Sequence, residues 1–139
     1  MSATSLAVKV LVLGGLANLV LSFVLGWVLS AHRVRSPIEP HRWLLVAHTV
    51  ALQEGVLLLA LGFAMLFARI PDGLAVAGAA LLVAASLFQD FSGIVNWRRG
   101  TSDQFAEKSA GWVLASINAV LATAGLAIVV AGIVRGTLS

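Results

Sequence analysis

Four continuous apolar stretches dominate the sequence and restrict its fold more than any other feature. They cover approximately residues 6–30, 43–68, 74–97 and 111–134. A helix needs about 20 apolar residues to cross about 30 Å of hydrocarbon, and each stretch is long enough. Lipid offers no partner to open backbone groups, and the stretches lack the two-residue alternation of a membrane barrel. The sequence therefore predicts an all-α, integral membrane four-transmembrane-helix bundle.

The composition supports a lipid environment. Of 139 residues, 60% are hydrophobic and 11% are charged, whereas soluble domains carry about 25% charged residues. We predict a single domain over residues 1–139. Its first stretch is read as a retained helix, because a signal peptide has an apolar region of only about 7–15 residues. Cysteine is absent, which excludes disulfides, thiolate metal sites and a cysteine nucleophile.

Basic residues between the stretches predict the orientation in the membrane. The first connection, residues 31–42, and the third, residues 98–110, together carry most of them. These are Arg33, Arg35, Arg42, Arg98, Arg99 and Lys108, against Lys9, Arg69 and Arg135 on the opposite side. The positive-inside rule then places the first and third connections in the cytoplasm, in a multi-pass protein of the cytoplasmic (inner) membrane. The same scattered distribution argues against a nucleic-acid partner.

Two local signals predict how the helices begin and turn. Residues 69–73 contain Pro71-Asp72-Gly73, typical of a tight turn, so the second and third helices should be antiparallel neighbours. Ser109 stands directly before the fourth apolar stretch and is a candidate N-cap.

Polar side chains inside the apolar stretches are candidates for function. An ionisable group in hydrocarbon costs about 2.5–3.5 kcal/mol, so such groups face a protein interior or a cavity. The candidates are His48, Glu54, Asp90, Asn18, Gln53, Gln89, Asn96 and Asn118. A rise of about 1.5 Å per residue predicts two layers, His48 with Asp90 and Asn118, and below them Glu54 with Asn18. These groups either line a polar cavity that opens toward the basic connections or pair with one another to hold the bundle together.

Small residues repeat every four positions on two of the stretches. The first stretch has Gly14, Asn18, Ser22 and Gly26, and the fourth has Gly111, Ala115, Ala119 and Thr123. Such stripes allow close helix packing, and their presence on two helices makes self-association plausible. His48 and Glu54 are six residues apart, about 240° around a helix, so the second helix should present two functional faces. One of these faces would suit a neighbouring subunit.

His48 is a candidate metal ligand. It lies inside an apolar stretch, whereas His32 and His41 lie in or beside the basic connection and are expected to be solvated. A neutral imidazole is a good iron ligand. A single histidine on an apolar helix is also compatible with a hydrogen-bonded core residue, and spacing alone does not separate these interpretations.

The polar residues of two stretches resemble a known family. Residues 47–55, Ala-His-Thr-Val-Ala-Leu-Gln-Glu-Gly, resemble the second helix of styrene oxide isomerases, which has Ala-His, a small hydroxyl residue and a later Asn-Gly. Residues 87–92, Leu-Phe-Gln-Asp-Phe-Ser, resemble the third helix, and Gln104-Phe105 also has a counterpart there. The related hydroxylaminobenzene mutases look similar. The resemblance covers roughly residues 43–125.

This resemblance implies a haem-dependent isomerase. In the family, the helix 2 histidine is the axial ligand of a b-type haem held between the subunits of a trimer. Carried over, His48 becomes the haem and metal ligand, Glu54 a polar residue of the pocket and Asp90 a pocket or orienting carboxylate. The family's pocket tyrosine has no equivalent, because the chain has no tyrosine, and Asn96 or Trp97 stands near that place. The expected substrate is a small apolar aromatic molecule, an epoxide or an arylhydroxylamine, with Glu54, Asp90 and Asn96 as candidate catalytic residues.

Two other classes of function remain open at the sequence level. A single intramembrane glutamate in a small four-helix protein also fits a proton-coupled transporter, although small multidrug exporters carry that residue in their first helix. A non-catalytic haem-binding or structural membrane subunit is the other alternative. Haem-binding electron-transfer subunits usually provide two histidines per haem, and His41 and His48 lie on one face of one helix, too close to hold opposite sides of a ring.

Overall fold

The four predicted helices are confirmed in the computed structural model, which describes residues 3–138. They are α1 (Ala3–Arg35), α2 (Arg42–Ala64), α3 (Asp72–Arg99) and α4 (Ala110–Thr137), and a short 3-10 turn, Met65–Phe67, extends α2. Over the described range the fold is all-α, and each helix is long and apolar enough to cross a membrane. Helices α1, α3 and α4 extend a few residues beyond the predicted apolar stretches, whereas α2 ends at Ala64 and its 3-10 extension at Phe67, just before the predicted end at residue 68.

Local sequence signals explain where the helices begin and end. The hydroxyl of Ser109 accepts a hydrogen bond from the backbone N–H of Trp112 at 3.1 Å, which confirms the predicted cap of α4. At the other end of that connection, α3 stops at Gly100, whose φ of 64° is readily adopted only by glycine. Residues 68–71 form the short connection between the 3-10 segment and α3, and Pro71 directly precedes the helix. Asp72 and Gly73, which the sequence placed in the turn, form the start of α3 instead.

The helices form a mutually packed group of three with α4 at its side. Each of α1, α2 and α3 contacts the other two, whereas α4 packs along α3. Only 17% of the membrane-spanning window of α4 is buried, so most of this helix faces outward. The small-residue stripe of α1 faces α2 and α3, where Gly14 packs on Val83 and Gly26 on His48. The packing interpretation of that stripe is therefore confirmed.

Glycines allow the closest approach of α1 and α2. A Cβ atom added at Gly15 would lie 2.9 Å from the backbone oxygen of Gly55, and one added at Gly55 would lie 3.0 Å from that of Gly15. Real side chains do not approach a backbone oxygen so closely. This contact fixes how α2 is positioned against α1, and therefore where His48 and Glu54 lie.

The first and third connections lie at the same end of the bundle. The indole N–H of Trp43, at the start of α2, donates to the backbone oxygen of Thr101 at 2.8 Å and joins the two connections. Within the third connection, the backbone N–H groups of Ala106 and Phe105 donate to Asp103 and hold the pKa of its carboxyl below the usual range. These bonds give the connection a defined conformation above the bundle end.

Candidate functional site

His48 is held by α1 in a defined tautomer. Its Nδ1 atom lies 2.8 Å from the backbone oxygen of Ser22. A carbonyl oxygen only accepts, so Nδ1 carries the proton and donates it. The Ser22 hydroxyl donates in turn to the backbone oxygen of His48 at 3.0 Å. The Nε2 atom keeps its lone pair and has no hydrogen-bond partner within residues 3–138.

An open groove between α1 and α2 runs past this imidazole. Its volume is about 540 Å³, within the range of about 300–1,000 Å³ typical of sites for small molecules and cofactors. It is lined by Phe23, Gly26, Trp27, Leu29, Ser30, Arg33, Leu45 and His48. The aromatic rings of Phe23 and Trp27 are 72% and 77% exposed, so the groove opens on the outer face of the bundle. Arg33 places a positive charge at the end nearest the first connection.

Gly26 makes room for the imidazole. A Cβ atom at this position would lie 3.2 Å from Cε1 of His48, closer than most real contacts, and 3.5 Å from Nδ1, which is an ordinary contact. A side chain there would push the ring away from its hydrogen bond to Ser22 or out toward the groove. Gly26 therefore belongs to the site, together with Ser22, although the sequence pattern indicated only packing for both.

Glu54 on α2 and Asp90 on α3 are acidic residues that lie within the apolar stretches of membrane-spanning helices. Asp90 is 1% exposed, and neither oxygen of its carboxyl group has a hydrogen-bond partner within residues 3–138. Glu54 is half-buried and lies near Asp90. The structure therefore brings these two predicted acids together, with Asp90 inside the bundle and Glu54 closer to its surface.

His48 and Glu54 occupy opposite flanks of α2. Six residues separate them, so they are about 240° apart around the helix axis. His48 faces α1 and the groove, whereas Glu54 interacts with Asp90 on α3. The groove beside His48 therefore opens on a different face of α2 from Glu54, which is not among its lining residues.

The other intramembrane polar residues pair between helices. Asn18 donates to Ser86 at 3.0 Å and joins α1 to α3. Asn118 donates to Gln89 at 2.9 Å and joins α3 to α4. Residues predicted to share a layer thus take part in different helix–helix contacts. For Asn18 and Asn118 the interpretation that polar pairs hold the bundle together is confirmed.

Asn96 is engaged where the end of α3 meets the third connection. It is fully buried; its Nδ2 donates to Gln104 at 2.9 Å, and its Oδ1 accepts from the Ser109 hydroxyl at 2.7 Å. Gly111 leaves the space that this amide occupies. Asn96 therefore joins the end of α3 to the third connection and to the cap of α4. The sequence resemblance had suggested a place among the catalytic residues instead.

Replacing Asn96 by alanine is expected to destabilise the protein by about 2–3 kcal/mol, because two hydrogen bonds are lost and their partners remain partly buried. Asn118→Ala is the matched control and should have about half this effect, since it breaks one such bond. Thermal unfolding in detergent measures both. An Asn96→Ala protein as stable as the wild type would contradict the structural assignment and favour a catalytic role.

One feature of the site could not be recognised from local patterns. The sequence assigns Arg33 only to the orientation signal, whereas the structure places it in the lining of the groove beside His48. Within the described residues no group of three or more histidine, aspartate or glutamate side chains could hold a metal ion. Comparison with models of known protein families, with curated proteins and with solved structures gives no match to this chain.

Proposed function

We propose that this chain is a membrane isomerase that binds a b-type haem on His48 and rearranges a small apolar aromatic substrate. The substrate is an aryl epoxide, converted to an aldehyde, or an arylhydroxylamine, converted to an aminophenol. The observation that carries the proposal is the bond from His48 Nδ1 to the Ser22 backbone oxygen, which leaves the Nε2 lone pair free beside the groove. Haem-ligating histidines are commonly oriented by such a bond, which also makes them more basic.

The residues around the groove fit a haem. His48 would be the axial ligand, with Gly26 giving the imidazole its space. Phe23 and Trp27 offer aromatic and apolar surface to a flat macrocycle, and Arg33 offers a cation to a propionate group at the polar end of the groove. The open outer side would leave such a group half exposed to lipid. This favours a second copy as its cover.

A ferric haem would supply a Lewis acid for the oxygen atom of the substrate. Glu54 would orient the substrate and stabilise the positive charge that develops on carbon or nitrogen as the C–O or N–O bond breaks. Asp90 would act as a positioning residue behind Glu54, through the interaction of their charges. The surrounding apolar side chains exclude water, which would otherwise add to the opened ring.

An isomerisation suits a small membrane chain. The atoms of the product are those of the substrate, so no cosubstrate or nucleotide site is required. In the epoxide reaction the three-membered ring opens and a hydride moves to the neighbouring carbon, which leaves an aldehyde. In the hydroxylamine reaction the hydroxyl group moves from nitrogen to an aromatic carbon, and the hydrogen that this carbon loses as a proton is balanced by the proton that nitrogen gains. Substrate and product are apolar enough to reach the protein through the bilayer.

The proposed functional unit is a homo-oligomer, a trimer as the resemblance suggests, in the cytoplasmic membrane with the basic connections inside. Its support is the position of His48 and Glu54 on opposite flanks of α2. In a ring, the groove of one copy would face the acidic pair of the next. Each active site would then combine His48 of one chain with Glu54 and Asp90 of another.

The test measures the haem absorbance of the purified protein and its conversion of the two substrate classes. Protein expressed with adequate haem supply should show a Soret absorbance and convert either aryl epoxides or arylhydroxylamines, with haem-free protein as the inactive control. A haem-loaded protein that converts neither substrate class would reject the isomerase. A colourless protein that folds normally would reject the haem site as well.

A transporter is the second candidate, because one specific observation favours it. Asp90 is fully buried without a hydrogen-bond partner in the described range and lies beside Glu54, an arrangement suited to carrying a proton within the membrane. Proton-driven uptake by vesicles containing the colourless protein would support this alternative.

A further inference from the structure

Gln53 carries an amide on the outer surface of α2, near the middle of the membrane. It is exposed and lies 11 residues after Arg42, about 17 Å along the helix. Within residues 3–138 its amide has no hydrogen-bond partner. The outward-facing hydroxyls of Thr49 and Thr123 do have partners within their own helices. Thr49 donates to the backbone oxygen of Leu45, and Thr123 donates to that of Ala119. Gln53 therefore needs a partner from outside its own chain, because hydrocarbon supplies none.

The direction of Gln53 lies between the two flanks of α2. It is offset by about 140° from His48 and by about 100° from Glu54. In the proposed function, on which this step rests, neighbouring copies cover both flanks. A helix near the axis of a closed ring has a neighbouring copy on each of its two flanks. The outward face of the helix between those flanks then points to the symmetry axis.

We propose that Gln53 lies at the axis of the homo-oligomer and that its amide hydrogen-bonds to Gln53 of the adjacent copies. A primary amide both donates and accepts, so a ring of identical amides satisfies itself. Thr49, one turn nearer the first connection, extends the same face toward the axis. The occupant of this face is thus a second copy of the chain, since a lipid tail would leave the amide unpaired.

The chain has no cysteine, so single-cysteine variants report proximity to the axis directly. Thr49→Cys keeps the amide of Gln53, and Gln53→Cys probes the proposed contact itself. Both should give disulfide-linked dimers when membranes are oxidised, because a disulfide needs Cα atoms within about 7 Å. The matched control is Val120→Cys, which lies at a similar depth on α4, is 70% exposed and should remain monomeric.

A second variant tests the amide itself. Gln53→Leu should raise by about 10-fold the protein concentration at which the oligomer dissociates in mild detergent, while each chain stays folded. Either of two results would overturn the proposal. The cysteines at positions 49 and 53 would cross-link no better than the cysteine at position 120, or the oligomer of Gln53→Leu would dissociate at the same protein concentration as the wild type. Cross-linking at positions 49 and 53 in a colourless protein would support the position of Gln53 at the symmetry axis and reject the haem site. A haem-bearing protein without cross-links would support the haem site and reject the position of Gln53.

Discussion

His48→Ala is expected to leave the purified protein without haem. The substitution removes the only atom of the groove, His48 Nε2, that is suited to ligate iron. Even the loss of a residue that only orients a metal ligand weakens metal binding by about 10–100-fold, so removal of the ligand should exceed this range. The measurement is the ratio of Soret to protein absorbance after purification with haem in excess.

The matched controls are the other two histidines. His41→Ala removes the weak cap at the start of α2, and His32→Ala removes a bond to the backbone oxygen of Ile38, so both should keep their haem. Added imidazole should partly restore haem binding to His48→Ala, because the cavity left by the side chain can admit the free ligand. Full haem occupancy in His48→Ala would refute the assignment.

Glu54→Gln is expected to lower turnover by about 100-fold or more while haem binding is retained. The substitution keeps the shape of the side chain and its ability to hydrogen-bond but removes its charge, and preorganised electrostatic contacts are worth about this much. Turnover of aryl epoxides and of arylhydroxylamines is measured separately, at equal haem content. Asp90→Asn should also lower turnover, because the proposal places Asp90 behind Glu54.

Mixed oligomers provide the sharpest control for this prediction. Chains carrying His48→Ala and chains carrying Glu54→Gln should each be inactive alone. Co-expressed, they should regain part of the activity, because some interfaces then combine an intact His48 with an intact Glu54. Wild-type turnover in Glu54→Gln and Asp90→Asn would show that the acids are structural. No recovery in mixed oligomers would show that the site does not lie between copies.

The number and approximate bounds of the helices follow from the sequence because hydrocarbon allows few alternatives. A continuous apolar stretch long enough to span lipid must satisfy its own backbone, and only a helix does so within one segment. The helix cap at Ser109 and the turn at Pro71 were recognisable for a similar reason, since both depend on residues within a few positions. The angular separation of His48 from Glu54 followed from helix geometry alone.

The chemistry of individual side chains required the tertiary structure. The tautomer of His48 depends on Ser22, 26 residues away, and on the rotation of α1 that brings its backbone oxygen to 2.8 Å. Asn96 is satisfied by two residues of a connection that has no regular periodicity. Gln53 and Asn18 are both amides within apolar stretches, yet one faces outward and the other is buried.

In a chain that is apolar all around its helices, hydrophobicity does not indicate which face packs inward. The close glycine contact between α1 and α2 decides that rotation, together with the polar pairs that join α1 to α3 and α3 to α4. The sequence by itself therefore determined four membrane-spanning helices and the order of the polar residues along each of them. Only the packing of the helices decided which of those residues meet, because each contact joins positions far apart in the chain.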